Sequence, residues 1–194
     1  MANKENAVLF LDRDGTINID IGPEYISDPS RVKLVPGAGR AVIAAHTAGF
    51  RIAVITNQAG VAKGKTPKEA LPLVHRQLEK LIAAEAGVPD FKFDDLRVCM
   101  HHPDEKCSCR KPETLMLEES IAKLSADVTR SFFVGDKMSD LLCAEEMGVR
   151  SILVRTGHGV TTEAELVAAP VAGLAGVVAT LSEAVDLVLR LNAR

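Results

Sequence analysis

The stretch Ala7 to Thr16 reads AVLFLDRDGT: five apolar residues, then two aspartates flanking an arginine, then glycine and threonine. The apolar run Ala7 to Leu11 is too short for a helix and is bounded by polar residues, so it reads as a strand buried on both faces. Four comparable runs follow at Arg51 to Ile55 (RIAVI), Leu96 to Met100, Ser131 to Val134 (SFFV) and Ser151 to Val154 (SILV). Between them, helical spacing occupies Ala38 to Thr47, Pro67 to Ala86, Leu115 to Leu124 and Ser139 to Met147. Strand alternating with helix predicts right-handed crossovers on a parallel sheet, an α/β domain of three layers with helices on both faces. Ligands in such sheets sit beyond the carboxyl ends of the strands. The tail after Thr156 is rich in Ala and Val and reads as packing material, closed by a helix from Ser182, its expected N-cap, to Leu191.

Length and composition set the outer bounds. The 194 residues match about one domain. With 47% apolar and 25% charged residues, 14 Gly and 9 Pro, disorder and collagen-like repeats are excluded. A net charge of -3, 4% aromatics and no Trp argue against nucleic acid and anionic membrane as partners, so an anionic substrate must be held by a local cluster of cations. Met1 to Asn6 is polar rather than a signal peptide, and no apolar run reaches the ~18 residues of a membrane span. The expectation is a cytoplasmic monomer, with neither a sticky edge nor a heptad seam to join copies.

The chemistry gathers after the strands. Asp12 and Asp14 are two apart, so an extended backbone aims both carboxylates to one side, and Gly15 allows the sharp turn out of the sheet. Such a pair suits a division of labour, one acid a nucleophile or metal ligand and the other a proton donor whose pKa is raised by its neighbour's charge. Taken alone, D-x-D-G fits a surface turn or a calcium-like loop equally well. Asp136 and Asp140, after the fourth strand, bring further carboxylates to the same sheet edge, and hard oxygen ligands favour Mg²⁺. Asp140 also suits the start of its helix through the dipole. A carboxylate attacking a phosphate needs donors and cations around the phosphoryl oxygens. Thr56 and Asn57 supply donors, and Arg110, Lys111 and Lys137 supply charge, whereas Lys63, Lys65 and Lys106 read as surface residues.

Three of the four cysteines fall within eleven residues, whereas a disulfide framework would be spread along the chain. Cys99-x-His101 and Cys107-x-Cys109 offer one imidazole and three thiolates, the Cys₃His set of a closed tetrahedral Zn²⁺ site. Four protein ligands leave no position for water, so the ion is expected to be structural, stiffening the loop that delivers Arg110 and Lys111. His102 is a competing ligand, more naturally outside the metal's own shell. Cys143 reads as core, as do Met100, Met116 and Met147. His46 and His75 read as surface or packing residues, and His158, near the same sheet edge, has no assigned part.

The ordered set DRDGT (Asp12 to Thr16), ITNQAGVAKG (Ile55 to Gly64), CRKP (Cys109 to Pro112) and VGDKMSD (Val134 to Asp140) resembles the four motifs of the haloacid dehalogenase (HAD) superfamily of phosphohydrolases. Within it the chain is most similar to the heptose bisphosphate and histidinol-phosphate phosphatase group, from about Ala7 to Gly157. The resemblance implies a single Rossmann-like (HAD-like) domain over residues 1–194, with a zinc loop at about 99–109. It implies that Asp12 is the nucleophile forming an aspartyl-phosphate, and that Asp14 protonates the leaving oxygen and then activates water. Thr56 and Lys111 would steady the transferring phosphoryl group. Mg²⁺ would be held by Asp12, the Asp14 carbonyl and Asp136, with Asp140 in support. Asp20, Asn57, Arg110 and Lys137 match substrate-contacting positions.

The run Asn57 to Gly64 and the Lys137 position favour the heptose branch and removal of the C7 phosphate of D-glycero-D-manno-heptose 1,7-bisphosphate. The short zinc loop, and Ala59 where the heptose enzymes often carry Ser, leave histidinol phosphate or another small sugar or amino-alcohol phosphate as the alternative. A nucleic-acid 3′-phosphatase is more distant, since a basic stripe with aromatics is missing and Tyr25 is the single tyrosine. No insertion is long enough for a cap domain, so the site is expected to be roofed by loops.

Overall fold

A computed structural model describes residues 6–193, and the segment Met1 to Glu5, part of the polar N-terminus, lies outside it. Six parallel strands form one sheet: β1 (Val8–Leu11), β2 (Arg51–Asn57), β3 (Asp95–Cys99), β4 (Phe132–Gly135), β5 (Arg150–Val154) and β6 (Leu174–Val178). Six helices cover it: α1 (Ala38–Thr47), α2 (Ala70–Ala86), α3 (Leu115–Leu124), α4 (Met138–Glu146), α5 (Gly159–Leu166) and α6 (Leu181–Asn192). The expected three-layer α/β class is therefore present.

The period of two along β1 shows how the layers form. Leu9 and Leu11 face α1, α2 and α6, where Val42, Leu78, Ile82 and Val185 lie. Val8 and Phe10 face α3 and α4, against Leu117, Leu124 and Ala144. All four strand residues are fully buried, so each contributes about 1.5–3 kcal/mol of transfer free energy. Cys143 and Met116 are core as expected, Met147 packs at the edge of the same cluster, and Met100 is half-buried past the end of β3.

The strand order is β3-β2-β1-β4-β5-β6. β1 pairs with β2 on one side and β4 on the other, with Leu11 opposite both Val54 and Val134. Chain direction along the sheet reverses at β1, which opens a crevice beyond the carboxyl ends of β1 and β4. The first three strand-end motifs and the fourth meet there.

Several boundaries differ from expectation, each for a local reason. β2 runs on to Asn57, so Thr56 and Asn57 belong to the strand itself, paired with Val98 and Cys99. α2 starts at Ala70 rather than Pro67, because Pro67 closes a turn by accepting from the Ala70 N–H. The cap of α6 is Thr180 rather than Ser182, its hydroxyl accepting from Glu183 N at 3.3 Å. The tail is more than packing material: it holds α5 and a sixth strand, β6. That strand is a half-buried edge with Gly176 inside it, and only pairing with β5 gives it strand character. Among the described residues no helix is long and apolar enough to cross a membrane.

Candidate active site

Asp12 is the first residue beyond β1, and its N–H still donates to Val134 O at 2.9 Å. The backbone then turns sharply at Gly15, whose φ is +87°. A Cβ there would lie 2.2 Å from Asp136 Oδ2, so glycine is required by both conformation and space. Gly135 plays the spatial part for the other pair, since its Cβ would meet Asp140 Oδ2 at 2.3 Å. Oxygens of Asp12, Asp136 and Asp140 lie within 4.8 Å of one another, all on buried residues.

Lys111 lies at the centre of this acidic group. Its Nζ donates to Asp12 Oδ1 at 2.8 Å and to Ile55 O at 2.6 Å, and forms an ion pair with Asp140 Oδ1 at 2.7 Å. Burial opposes the charge, but Asp12 and Asp140 raise the pKa and keep the ammonium protonated. Asn57 sets its position: its amide accepts from Lys111 N and donates to Lys111 O, both at 3.1 Å. Asp140 fills two offices at once. One oxygen faces Lys111, and the other accepts from Lys137 N at 3.0 Å and so caps α4.

The two aspartates of the first motif titrate in opposite directions, and the raised pKa expected of the proton donor falls on Asp12 instead of Asp14. Burial raises Asp12, with the Asp140 charge adding to it against Lys111. Burial would raise Asp14 too, but the Arg13 guanidinium and hydrogen bonds from Asn18, Arg13 and Gln58 hold it below the usual carboxylate range. Asp136 is pushed up to about 8, first by burial and then by the Asp12 charge. Its Oδ2 accepts from His158 N at 2.7 Å, while its buried Oδ1 has no hydrogen-bond partner.

A cleft of about 480 Å³ opens over this rim. Its walls are three loops, contributing Asp20, Ile21 and Tyr25; Gln58, Ala59 and Lys63; and Arg110 and Lys111. Lys137 and His158 complete it, both 3.4 Å from Asp20 Oδ2. Thus Asp12, Asp14, Asp20, Thr56, Asn57, Arg110, Lys111, Lys137, Asp136 and Asp140 are all brought to one end of the sheet. Two residues read otherwise in the sequence join them. Lys63, expected on the plain surface, is exposed yet lines the cleft and donates to Tyr25 OH at 3.0 Å, and His158 lines it as well.

Sequence reading missed the polar layer under Asp14. Arg13 is only 1% exposed and donates from Nη2 to Asp14 Oδ2 at 2.7 Å. Asn18 and Gln58 donate to the same carboxylate at 2.8 and 2.7 Å. His75, read as a surface or packing residue, is buried against Arg13 at 3.2 Å, where burial and the neighbouring guanidinium lower its pKa to about 4. An arginine between two aspartates was the one available signal, and its guanidinium, past the end of β1, reaches back to Asp14 itself.

The second cluster spans the last residue of β3, Cys99, and the loop that follows it. Cys99 Sγ is 3.6 Å from Cys107 Sγ, which is 3.6 Å from Cys109 Sγ. His101 Nδ1 is 3.1 Å from Cys109 Sγ and 3.7 Å from Cys99 Sγ. The four groups form a set able to hold a metal ion. His102 stands apart, its Nδ1 accepting from Asp104 N at 3.3 Å to cap a short 3₁₀ turn over Pro103–Glu105.

A family model of HAD-hydrolase-like proteins matches residues 108–184. The D-glycero-D-manno-heptose-1,7-bisphosphate 7-phosphatase of Chlorobaculum tepidum is 42% identical over 163 residues, 78% of this chain and 79% of that protein. The D-glycero-beta-D-manno-heptose-1,7-bisphosphate 7-phosphatase of Escherichia coli is 34% identical over 170 residues, 84% of this chain and 86% of that protein. The D,D-heptose 1,7-bisphosphate phosphatase of B. bronchiseptica, solved with magnesium and phosphate, superposes with a TM-score of 0.85 at 28% identity, covering 95% of this chain and 99% of that one. Identity at this level across most of both lengths, on one fold, settles the relationship: the chain belongs to the heptose-1,7-bisphosphate 7-phosphatase family of HAD-like hydrolases.

Proposed function

We propose that this chain removes the C7 phosphate of D-glycero-D-manno-heptose 1,7-bisphosphate, with Asp12 as nucleophile and an aspartyl-phosphate intermediate. The observation that carries the reading is the rim itself, where Asp12 and Lys111 are in contact, Thr56 is adjacent and an acid with its own donors, Asp14, is two residues away. An Asp12 oxygen forms a bond to phosphorus as the bond to the sugar oxygen breaks. Asp14 is ionised in the free site because Arg13, Asn18 and Gln58 donate to it. It delivers a proton to the sugar oxygen once the negative charge of the bound phosphate has raised its pKa and a proton has been taken up from solvent. Asp14 then takes a proton from water, which attacks the phosphoryl group and frees Asp12. Thr56 and Lys111 bind the equatorial oxygens as charge builds on them.

The residues fit a divalent cation of the Mg²⁺ type. Its oxygen ligands would be Asp12, the Asp14 carbonyl and Asp136, with Asp140 in support, and the partnerless Asp136 Oδ1 supports that assignment. Bound there, Mg²⁺ offsets negative charge shared between phosphate and carboxylates.

Zn²⁺ is the proposed occupant of the cysteine cluster. Zn–S bonds of ~2.3 Å in a tetrahedron set neighbouring sulfurs about 3.8 Å apart, and both measured sulfur pairs are 3.6 Å. Its part is to hold the loop bearing Arg110 and Lys111. A bisphosphate also needs cations away from the reaction centre, and Arg110 and Lys63 around the cleft supply them.

The test is a side-by-side measurement of kcat/KM for the heptose bisphosphate and for histidinol phosphate with Mg²⁺ present, since that ratio reports differential transition-state binding. The heptose value is expected to be higher by at least about tenfold, the scale of one well-placed contact. A higher value for histidinol phosphate removes the substrate assignment, and no turnover of either ester removes the hydrolytic one.

A further inference from the structure

Helix α2 sends one polar side chain under the catalytic rim. His75 sits among the apolar residues Leu71, Val74 and Leu78, is 8% exposed, and places Nε2 3.2 Å from Arg13 Nη1. Arginine offers donors only and does not lose its proton in proteins. Arg13 therefore donates, and Nε2 of His75 accepts. The ring is neutral with its proton on Nδ1, in keeping with the lowering of its pKa by burial and by Arg13.

The same donor logic continues past Arg13. Nη2 donates to Gln58 Oε1 at 3.0 Å, which fixes which end of the Gln58 amide is oxygen. The amide nitrogen must then face the other way, and it does, 2.7 Å from Asp14 Oδ2 and 2.9 Å from Thr56 Oγ1. Arg13 itself holds Asp14 with Nε at 3.1 Å and Nη2 at 2.7 Å. Because Thr56 Oγ1 accepts from Gln58, its own proton is left for another acceptor. Every polar orientation in this chain of hydrogen bonds follows from one group that can only donate, and His75 is the partner that keeps that group in place from outside the site.

We infer that His75 is a positioning residue for the reaction: by accepting from Arg13 it locks the guanidinium that sets the Asp14 rotamer, and through Gln58 it leaves the Thr56 proton free for the phosphoryl group. It touches no substrate. The inference rests on the proposed roles of Asp14 and Thr56, and its test separates the two.

The experiment compares an alkyl phosphate ester with p-nitrophenyl phosphate, using wild type, His75→Leu and His75→Gln. An alkoxide leaving group needs the Asp14 proton, whereas nitrophenolate departs without it. The parameter kcat/KM covers events up to leaving-group release, so later hydrolysis of the aspartyl-phosphate does not enter. Full loss of a general acid removes about 10²–10⁴-fold, so a displaced one is expected to lower kcat/KM of His75→Leu on the alkyl ester by roughly 30-fold. The aryl ester is expected to fall by no more than about threefold, and His75→Gln, whose amide oxygen can accept from Arg13, to recover most of the loss. Equal falls on both esters, no fall on the alkyl ester, or no recovery with Gln overturns the inference, because a purely structural histidine would act in those ways.

Nitrogen-15 NMR of the unmodified protein at neutral pH reads the ring directly, whether or not the variants fold. A neutral His75 ring protonated on Nδ1 is expected, and a proton on Nε2 or an imidazolium overturns the inference. Failure of the wild type to turn over either ester would sink the proposed function instead, with the ring's tautomer still readable.

Discussion

Two metal-capable groups occur among the described residues, and they are built in opposite ways. The Cys99, His101, Cys107 and Cys109 group is drawn from eleven consecutive residues on a partly exposed loop. The Asp12, Asp136 and Asp140 group is wholly buried, and its members come from the ends of two strands and the first turn of a helix, with Asp12 more than a hundred residues from the other two along the chain. The first closes a local loop, so it trades with loop order. The second gathers like charges in a poorly solvated place, which costs stability and is retained for what the charges do together. Loss of the loop cluster should therefore be felt in folding first, and loss of the carboxylate cluster in chemistry first.

The sharpest way to break that contrast is Asp12→Asn. Turnover of a phosphate ester is expected to fall by at least about 10⁴-fold, as for removal of a nucleophile. The melting temperature should move by less than about 4 °C, since the change removes a like-charge contact as well as an ion pair to Lys111. An unfolded variant, or one that retains activity, would defeat the claim that this cluster serves chemistry over stability.

Cys109→Ser makes the reciprocal test. Metal analysis should show one fewer equivalent of Zn²⁺, with a loss of about 3 kcal/mol and a fall in Tm of roughly 10 °C. A smaller drop in kcat, about tenfold, is expected because Arg110 and Lys111 follow directly on the loop. Unchanged melting would mean that the loop carries its own order without a metal.

The buried carboxylates also predict a pH slope. Burial, then the Asp12 charge, raises Asp136 from 3.8 to about 8, so between those values the folded metal-free protein binds a proton that the unfolded chain has released. Stability must then fall as pH rises from about 4 to 8, by on the order of 2 kcal/mol once relaxation of the site is allowed for. Calorimetry of the metal-free protein should show this loss, Mg²⁺ should restore more stability at pH 8 than at pH 5, and Asp136→Asn should flatten the slope. Stability that rises over that interval in the metal-free protein would contradict the assignment.

The smallest effect belongs to the fourth cysteine. Cys143 is fully buried between α4 and the sheet and belongs to neither cluster. Cys143→Ala is expected to cost about 1 kcal/mol, read by denaturant titration, with metal content and turnover intact. A loss of metal on this change would redraw the boundary of the loop cluster.

The two clusters also explain how far each was legible. Cys99, His101, Cys107 and Cys109 declare themselves by spacing, since ligands close in sequence can be read without a fold. Asp12, Asp136, Thr56 and Lys111 could be placed together only because strand alternation implies a parallel sheet with a single productive edge. Below them legibility stops. Gln58 and His75 lie 45 and 62 residues from Arg13, and their pairing with it follows donor and acceptor geometry, which leaves no periodic trace. Lys63 likewise reads as a solvated lysine until the Tyr25 loop is seen beside it. β6 escapes a sequence reading because an edge strand broken by glycine is defined by its neighbour.

Local order along the polypeptide determines the layered α/β class, the helices, the loop metal ligands and which residue types end each strand. Those properties depend on hydrophobic period and near neighbours, and a single sequence carries both. Tertiary structure alone decides that β1 lies between β2 and β4, that Lys111 is shared by Asp12 and Asp140, and that a histidine on α2 meets the arginine between the two aspartates of the first motif. Such contacts join groups remote in sequence through directional hydrogen bonds and buried charge, whose energies depend on distances of a few tenths of an ångström that no spacing rule encodes.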